Sequence, residues 1–225
     1  MEQDGEAYSV NITSQCRKRT NLTAMQIEHL KRIEISLPFV ADLAHAYLYL
    51  YVQTKEPGKM LVLKHYRPHT FFSEVELTGE GAFVSTLEEP LIAAAFAKGK
   101  FIQGQREWRF GINLEMYVQP IKCGNDVIGV VSLETGHSYA NSSNYHQLMD
   151  TALYLLDYAK KPLDKDEFHP MSPGTGIIIA DSNNRIVFAN LSANRIYRAL
   201  GIASLVGCRM QDRELSAMLH KETID

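Results

Sequence analysis

Cysteine, tryptophan and long apolar runs are all scarce in this chain. Its 225 residues include three cysteines and one tryptophan. Cys16, Cys123 and Cys208 lie far apart and form no CxxC pair, so neither a disulfide framework nor a zinc knuckle is predicted. The longest uninterrupted apolar runs, such as residues 91–97, are much shorter than the roughly 20 residues that span a bilayer. The sequence therefore predicts no membrane partner.

An excess of either charge is also lacking. Lys and Arg number 23 and Asp and Glu number 26, which leaves a formal net charge of −3. This balance argues against direct binding of nucleic acid, because phosphate binding needs clustered Lys and Arg. The one dense basic run, Arg17-Lys18-Arg19, is interpreted as part of a solvated, frayed terminus. No apolar stretch follows the acidic N-terminus, so no secretory signal is expected, and the predicted location is cytoplasmic.

Signatures of catalysis are missing as well. The sequence contains no Walker A motif, no HExxH and no Gly-x-Ser-x-Gly, so we predict no catalytic residues and no cofactor within this chain. His65 and His69 are four residues apart, but they flank a strand end, where that spacing separates them by roughly 13 Å. Surface histidines are favoured over a metal site.

What the sequence does contain is a series of helix and strand patterns. Thr23 is a suitable N-cap for a first helix, and tyrosine alternates with aliphatic residues over residues 46–52, as expected of a strand. The predicted order is helix 24–35, strands 46–52 and 60–67, helix 88–98, strands 101–108, 114–122 and 126–134, and helix 144–160. This order predicts an α+β fold, an antiparallel sheet flanked by helices.

A second, smaller unit is predicted after a linker. Residues 162–175 contain three prolines and few apolar residues, which favours a linker. Strands over 176–181 and 185–190 and a helix over 192–200 follow, with one more helix near 214–220. The predicted division is a flexible N-terminus 1–21, a first domain 22–161, the linker 162–175, and a unit 176–225 that looks like part of a larger domain.

The tyrosine stripe Tyr47, Tyr49 and Tyr51 has two interpretations. It is either core packing with hydroxyl hydrogen bonds, or one wall of a ligand pocket. Polar side chains also share one face of strand 114–122, and a carboxylate with stacked tyrosines would suit a cationic ligand. The candidate ligand-binding residues are Tyr49, Arg67, Tyr117 and Gln119. Arg67 could equally be a salt-bridged strand terminus.

Several segments resemble a known sensor family. They are Ala41-Asp-Leu-Ala-His-Ala-Tyr-Leu-Tyr-Leu50, Arg67-Pro-His-Thr70, Glu89-Pro-Leu-Ile-Ala-Ala-Ala-Phe96, and Val118-Gln-Pro-Ile121 with Val127-Ile-Gly-Val-Val131. Together they resemble a GAF-like domain, similar to the N-terminal sensor domain of a group of cytoplasmic bacterial histidine kinases. Residues 176–190, 192–197 and 205–207 look like the opening half of a PAS domain.

The resemblance implies a signalling role rather than catalysis by this chain. In such kinases the two sensor domains precede a dimerising phosphoacceptor helix pair and an ATP-binding kinase domain, so ATP and Mg²⁺ are expected only for the missing kinase part. The implied partners are a second copy of the chain, with helices 24–35 and 144–160 as the dimer contact, and a cognate response regulator, often one with an RNA-binding ANTAR output domain. Some relatives serve ethanolamine utilisation, which makes a small amine a candidate signal.

Two other functional classes stay open at this point. A GAF–PAS region could instead control a DNA-binding transcription activator. A GAF-like domain could also be an enzyme, such as a methionine-sulfoxide reductase or a cyclic-nucleotide hydrolase. The reductase needs clustered reactive cysteines, which the sequence does not supply locally.

Overall fold

The computed structural model describes residues 11–68, 78–109, 111–136, 145–158, 176–189 and 191–210. The chain divides into two compact units, Met1–Pro170 and Met171–Asp225. The predicted linker 162–175, the predicted helix 214–220 and His69 lie outside the described residues.

The described part of the first unit alternates helices and strands in the predicted α+β manner. Its elements are α1 (Ile12–Arg19), α2 (Ala24–Glu34), α3 (Leu37–Ala44), β1 (Tyr47–Gln53), β2 (Lys59–Tyr66), β3 (Phe83–Ser85), α4 (Pro90–Lys98), β4 (Ile102–Arg109), β5 (Ile112–Cys123), β6 (Asp126–Gly136) and α5 (Tyr145–Tyr158). Each predicted helix and strand of this unit is confirmed to within about three residues, but α1, α3 and β3 are not among the predicted elements.

Local signals in the sequence account for most of the helix ends. Thr23 and Gln26 form a reciprocal capping box at the start of α2, which satisfies amide groups that the first turn leaves without partners. Pro38 lies in the first turn of α3, where a missing N–H is tolerated. Gly99 ends α4 in the left-handed conformation, with φ 58°.

Helix α1 corrects the interpretation of the basic run. Ile12 and Cys16, which are four residues apart, are buried, and the Arg19 guanidinium lies 4.8 Å from the centre of the Phe83 ring. Arg19 also donates a hydrogen bond to the Gly81 carbonyl at 2.9 Å. The prediction that Arg19 belongs to a solvated, frayed terminus was therefore wrong. Two apolar residues on one face are too few to be recognised as a helical pattern.

The six strands of the first unit form one antiparallel sheet in the order β3-β2-β1-β6-β5-β4. Strand β3 has only three residues, too few to show alternation. In the centre of the sheet, Tyr49 pairs with Ser132 and Leu48 with Leu133. Because successive side chains of a strand point to opposite faces, the tyrosines of β1 share one face and its leucines share the other.

We call the two faces of the sheet the tyrosine face and the helix face. The tyrosine face carries Tyr47, Tyr49 and Tyr51 and packs against α4 in one hydrophobic cluster. The helix face carries two cross-strand pairs that alternate with the tyrosines along β1 and β6, namely Leu48 with Leu133 and Leu50 with Val131. Helix α2 packs on the helix face, and α3 contacts β1, α2 and α5.

One glycine on each face lets a helix approach the sheet closely. A Cβ added at Gly104 on β4 would lie 2.9 Å from Cδ1 of Leu91 in α4. A Cβ added at Gly129 on β6 would lie 3.1 Å from Cδ2 of Leu30 in α2 and 3.3 Å from the Tyr51 carbonyl oxygen. The absence of a side chain at these positions therefore sets how near α4 and α2 lie to the strands.

The second unit has its own small core. Strands β7 (Ile178–Ala180) and β8 (Ile186–Ala189) pair antiparallel and are followed by helix α6 (Leu191–Ala199), as predicted. A carboxylate oxygen of Asp181 accepts hydrogen bonds from the amides of Asn183 and Arg185 at 2.8 and 2.9 Å, which holds the turn between the strands. The fully buried residues of the core are Ile186, Ala193 and Leu205.

Candidate functional site

Helix α4 packs on the tyrosine face and covers it. Tyr49 and Tyr51 are 6% and 2% exposed, and their ring centres are 6.0 Å apart. The tyrosines belong to a cluster with Ile92, Ala95 and Phe96 of α4 and with Met116, Val118 and Val130 of the sheet. The core-packing interpretation of the stripe is confirmed for these rings.

Charged side chains are buried on this same face. Arg106 of β4 forms ion pairs through Nη1 with Glu89, which precedes α4, and through Nη2 with Glu134 of β6. The Ser132 hydroxyl donates to the other oxygen of Glu134 at 2.8 Å. We call these four residues the Arg106 cluster. The exposed fractions of the Glu89, Arg106 and Glu134 side chains are 10%, 25% and 1%.

The strand register explains why these residues meet. Arg106 pairs with Leu114 in the β4–β5 ladder, and Leu114 pairs in turn with Gly136 of β6. Glu134, two residues before Gly136, therefore points to the same face as Arg106. Glu89 reaches them because α4 crosses this face, close to β4 at Gly104.

The Arg106 cluster has two carboxyl groups for one guanidinium. Burial raises the pKa of Glu89, the charge of Arg106 opposes this effect and the charges of Glu134 and Glu88 add to it, which brings the pKa to about 7. Burial also raises the pKa of Glu134, against the opposing effects of Arg106 and the Ser132 hydroxyl. Burial alone would lower the pKa of Arg106, but its two carboxylate partners outweigh burial and raise it.

One guanidinium nitrogen on this face is available for hydrogen bonding, whereas the Tyr49 hydroxyl already bonds to the Thr78 backbone. Burial, followed by the charge of Glu134, raises the pKa of Tyr49 and of Tyr51, so both phenols stay protonated at neutral pH. The Nε atom of Arg106 is buried and has no hydrogen-bond partner within the described part of the chain. The tyrosine face thus combines surplus negative charge with a buried donor.

The predicted site residues do not lie together. Tyr49 lies on the tyrosine face, and Arg67 is exposed just beyond the end of β2. Tyr117 and Gln119 pair with Leu133 and Val131, which places both on the helix face. The Tyr117 ring lies 6.2 Å from that of Tyr145 in α5. One ligand cannot contact Tyr49 and Tyr117 on the same face of this sheet.

Sequence reasoning missed the Arg106 cluster altogether. Its members come from the residue before α4 and from β4 and β6, so no local spacing connects them. The available signal was Glu134, a carboxylate near the end of a strand whose other residues are almost all apolar or small. A charged residue at such a position is buried only if it is paired.

A comparison with protein families assigns the first unit. The family model described as the GAF domain of histidine kinase PdtaS matches residues 12–152, which is more than half of the chain. The chain belongs to this GAF family. The predicted resemblance to a GAF-like sensor domain of histidine kinases is confirmed. No curated protein matches the chain.

Two solved structures are similar to the chain. A sensor region of a sensor histidine kinase is similar over 94% of this chain and 80% of its own length, with 19% identity and a TM-score of 0.61. The C-terminal domain of a putative transcriptional regulator from Vibrio cholerae is similar over 58% of this chain and 94% of its own length, with 13% identity and a TM-score of 0.42. At 19% identity, the similarity to the sensor region of the histidine kinase concerns the fold alone.

Three other features were candidates for function: a reactive thiol, a metal site and a membrane-spanning helix. Burial raises the pKa of the Cys16 thiol to about 11, so Cys16 is not a nucleophile at neutral pH. Within the described ranges, no group of three or more metal-ligating side chains comes together. No helix of the described residues has both the length and the hydropathy needed to cross a membrane.

Proposed function

We propose that this chain is the signal-sensing region of a cytoplasmic two-component histidine kinase. Its GAF domain would bind a small ligand on the tyrosine face and thereby regulate an autokinase domain outside this sequence. ATP and Mg²⁺ would serve that kinase domain, and a response regulator, of the ANTAR type in the related kinases, would receive the phosphoryl group.

The observation that carries this proposal is the burial of the Arg106 cluster. Two carboxylates and one guanidinium lie at a face otherwise lined by apolar and aromatic side chains. Such a cluster is weak evidence for stability, because desolvation offsets much of the Coulombic gain and apolar residues could replace it. A polar group that stability does not require is a natural place for ligand recognition.

The chemistry of the cluster favours a small cationic ligand that also carries an oxygen. An ammonium group would compensate the surplus negative charge, and the tyrosine rings offer electron-rich faces to a cation. The Arg106 Nε donor could then bond to a ligand oxygen. A small amino alcohol meets both requirements, consistent with the small amine that the family resemblance implies. Of the four predicted residues, this site keeps Tyr49.

Binding would act by shifting a conformational equilibrium. A ligand that contacts α4 and the sheet can favour one arrangement of the domain only through a difference in its affinity for the two arrangements. The proposed output is a homodimer that contacts through α2 and α5, the helices predicted for that role. Light scattering of the chain at high concentration should then give the mass of a dimer, and a monomer would contradict this part of the proposal.

Ligand binding is tested by thermal unfolding with a panel of small molecules. Ethanolamine and other small primary amines should raise the melting temperature, whereas alcohols and carboxylates of similar size should not. At a ligand concentration of 100 Kd, stabilisation is about 2.7 kcal/mol, or roughly 5–11 °C for a unit of this size. Glu89→Gln, which removes one of the two carboxylates, should reduce the shift, and Glu107→Gln, a change at an exposed position on β4, serves as the control.

The two alternative classes have less support. The family match is to a domain of a histidine kinase, which favours a kinase over a transcription activator. The reductase alternative needs a reactive thiol, and Cys16 is buried with a raised pKa. The reductase would become the favoured function if no amine of the panel raised the melting temperature and if the chain showed a sulfoxide-dependent activity that Cys123→Ser abolishes.

A further inference from the structure

The Arg106 cluster contains one cation for two carboxyl groups. A single guanidinium lies between two carboxyl groups, with Nη1 on Glu89 and Nη2 on Glu134. If both carboxyls are ionised, the cluster has a net charge of −1. Close carboxylates in a buried site cannot both ionise freely, and one of them then retains a proton to higher pH.

Among the described residues, the surroundings supply no second cation. The groups facing the two carboxyls there are the Tyr49 and Tyr51 phenols from β1, Arg106 from β4, the Ser132 hydroxyl from β6 and the Glu88 carboxylate, which precedes Glu89 before α4. Within the described part of the chain, Arg106 is the one positively charged partner of Glu89 and Glu134. The Ser132 hydroxyl and the phenols can orient toward a charge but cannot neutralise it.

We propose that the Arg106 cluster is a proton-binding site, at which one exchangeable proton is shared between Glu89 and Glu134 and is displaced by a cationic ligand. The proton balances the surplus charge of the empty site, and an ammonium group takes over that role when it binds. The displaced proton passes to solvent.

The position of Glu89 connects this proton to α4. Glu89 immediately precedes Pro90, the first residue of α4, and Leu91 in the first turn packs over Gly104. With a proton on Glu89, the ion pair to Arg106 becomes a weaker hydrogen bond from the guanidinium to an uncharged carboxyl group. Because burial beneath α4 raises the pKa of Glu89, the protonated form favours this burial and the ionised form opposes it. An ammonium group that replaces the proton would compensate the ionised carboxylate and keep α4 closed over the tyrosine face.

The pKa of Glu89 supports this arrangement. Burial, together with the charges of Glu134 and Glu88, raises that pKa to about 7. Because the two carboxyls interact, they titrate as a pair, and the proton belongs to the cluster rather than to one residue. Ligand affinity is accordingly expected to increase as the pH rises through about 7.

The test is a pH titration of the whole chain, monitored by NMR of ¹³C-labelled glutamate carboxyl groups. We expect one carboxyl signal with a midpoint near neutrality, absent in Glu89→Gln. In Glu134→Gln, Arg106 pairs with Glu89 alone, so the Glu89 midpoint should fall by about one to two pH units. Glu107→Gln serves as the matched control, because Glu107 is exposed on the same strand and bonds to the Gly111 amide.

Two results would overturn the proposal. The first is a wild-type chain whose glutamates all titrate near their ordinary value of about 4.3. The second is a Glu89 midpoint that Glu134→Gln leaves unchanged, which would make burial alone responsible. If Glu134→Gln fails to fold, Ser132→Ala provides the same test, because loss of the hydroxyl donor should raise the pair's upper midpoint. An unchanged midpoint in Ser132→Ala would also contradict the shared proton.

Only the ligand half of this inference rests on the proposed function. The carboxyl titration needs no ligand, so it can succeed even if no amine in the panel binds. Proton release on amine binding can be measured by calorimetry in two buffers of different ionisation enthalpy. An amine that raises the melting temperature without releasing a proton would overturn the displacement step, but it would not contradict the proposed function.

Discussion

The two faces of the six-stranded sheet differ in how they bury charge, although the same strands build them. The helix face is mostly apolar, but it also buries Lys64, which lies opposite Leu50 and pairs with Glu34 and Glu80. The tyrosine face buries two carboxylates and a guanidinium beneath α4. Buried charges need partners on either face. The difference is that the two carboxylates paired with Lys64 are 27% and 18% exposed, whereas Glu134 on the tyrosine face is 1% exposed.

The faces also differ in how they should respond to pH. Apolar contacts do not titrate, so the contribution of the leucine and valine side chains on the helix face is independent of proton concentration. The tyrosine face contains a carboxyl whose pKa is raised to about 7. A raised folded-state pKa means that the contribution of Glu89 to stability is fully present below its unfolded value of about 4.3 and is lost as the pH rises through about 7.

The largest expected effect is on the helix face. Leu50→Ala removes a fully buried side chain and should lower the free energy of unfolding by about 2–5 kcal/mol. The loss should be the same at about pH 5.5 and pH 7.5, since the side chain that is removed carries no titrating group. Urea unfolding at both values measures it. A loss that changes with pH would mean that the packing of Leu50 is coupled to a titrating group, either the Lys64 ion pairs opposite it or the Arg106 cluster.

The matching change on the tyrosine face is Arg106→Met. It leaves two buried carboxylates without their cation and should lower the free energy of unfolding by about 3 kcal/mol. This value is at the lower end for a buried ion pair because the Arg106 side chain is 25% exposed. The loss should shrink between about pH 7.5 and pH 5.5, as the carboxyls take up protons. Urea unfolding is again the measurement, and an equal loss at both values would contradict the electrostatic role of Arg106.

The two glycines give a closer comparison of how each face tolerates added volume. Gly129→Ala meets Leu30 and also the Tyr51 carbonyl oxygen, which belongs to the main chain, and should cost about 1–3 kcal/mol. Gly104→Ala meets only the Leu91 side chain, which can change rotamer, so its cost should be smaller. Chemical denaturation of both variants provides the comparison. A larger cost at Gly104 would show that α4 is held more rigidly than α2.

The smallest expected effects concern single hydroxyl groups on opposite faces. The test ligand is an amine that stabilises the wild-type chain. If the Tyr49 hydroxyl contacts this ligand, Tyr49→Phe should reduce the binding free energy by about 0.5–1.5 kcal/mol, or roughly two- to twelvefold in Kd. Tyr117→Phe should leave the affinity unchanged, because Tyr117 lies on the helix face. Titration calorimetry of both variants decides it, and the reverse pattern would move the ligand site to the helix face.

The fold was largely predictable because its signals are local. The alternation from Tyr47 to Val52, the capping box of Thr23 and Gln26, and the left-handed Gly99 each depend on residues that are close in sequence. The missed elements have a shared cause. Helix α1 and strand β3 have too few apolar residues to show a period, and they are fixed by contacts such as Arg19 with Gly81 and Phe83.

The sequence by itself determined the α+β class, most of the elements and the GAF resemblance, because propensity, capping and periodicity act over a few residues. Only the tertiary structure decided which side chains share a face. A strand's side chains alternate every residue, so the pairing register, which depends on strands distant in sequence, separates Tyr49 from Tyr117. That same register, with α4 above it, brings Glu89, Arg106 and Glu134 together, because burying their charges requires partners that no local pattern specifies.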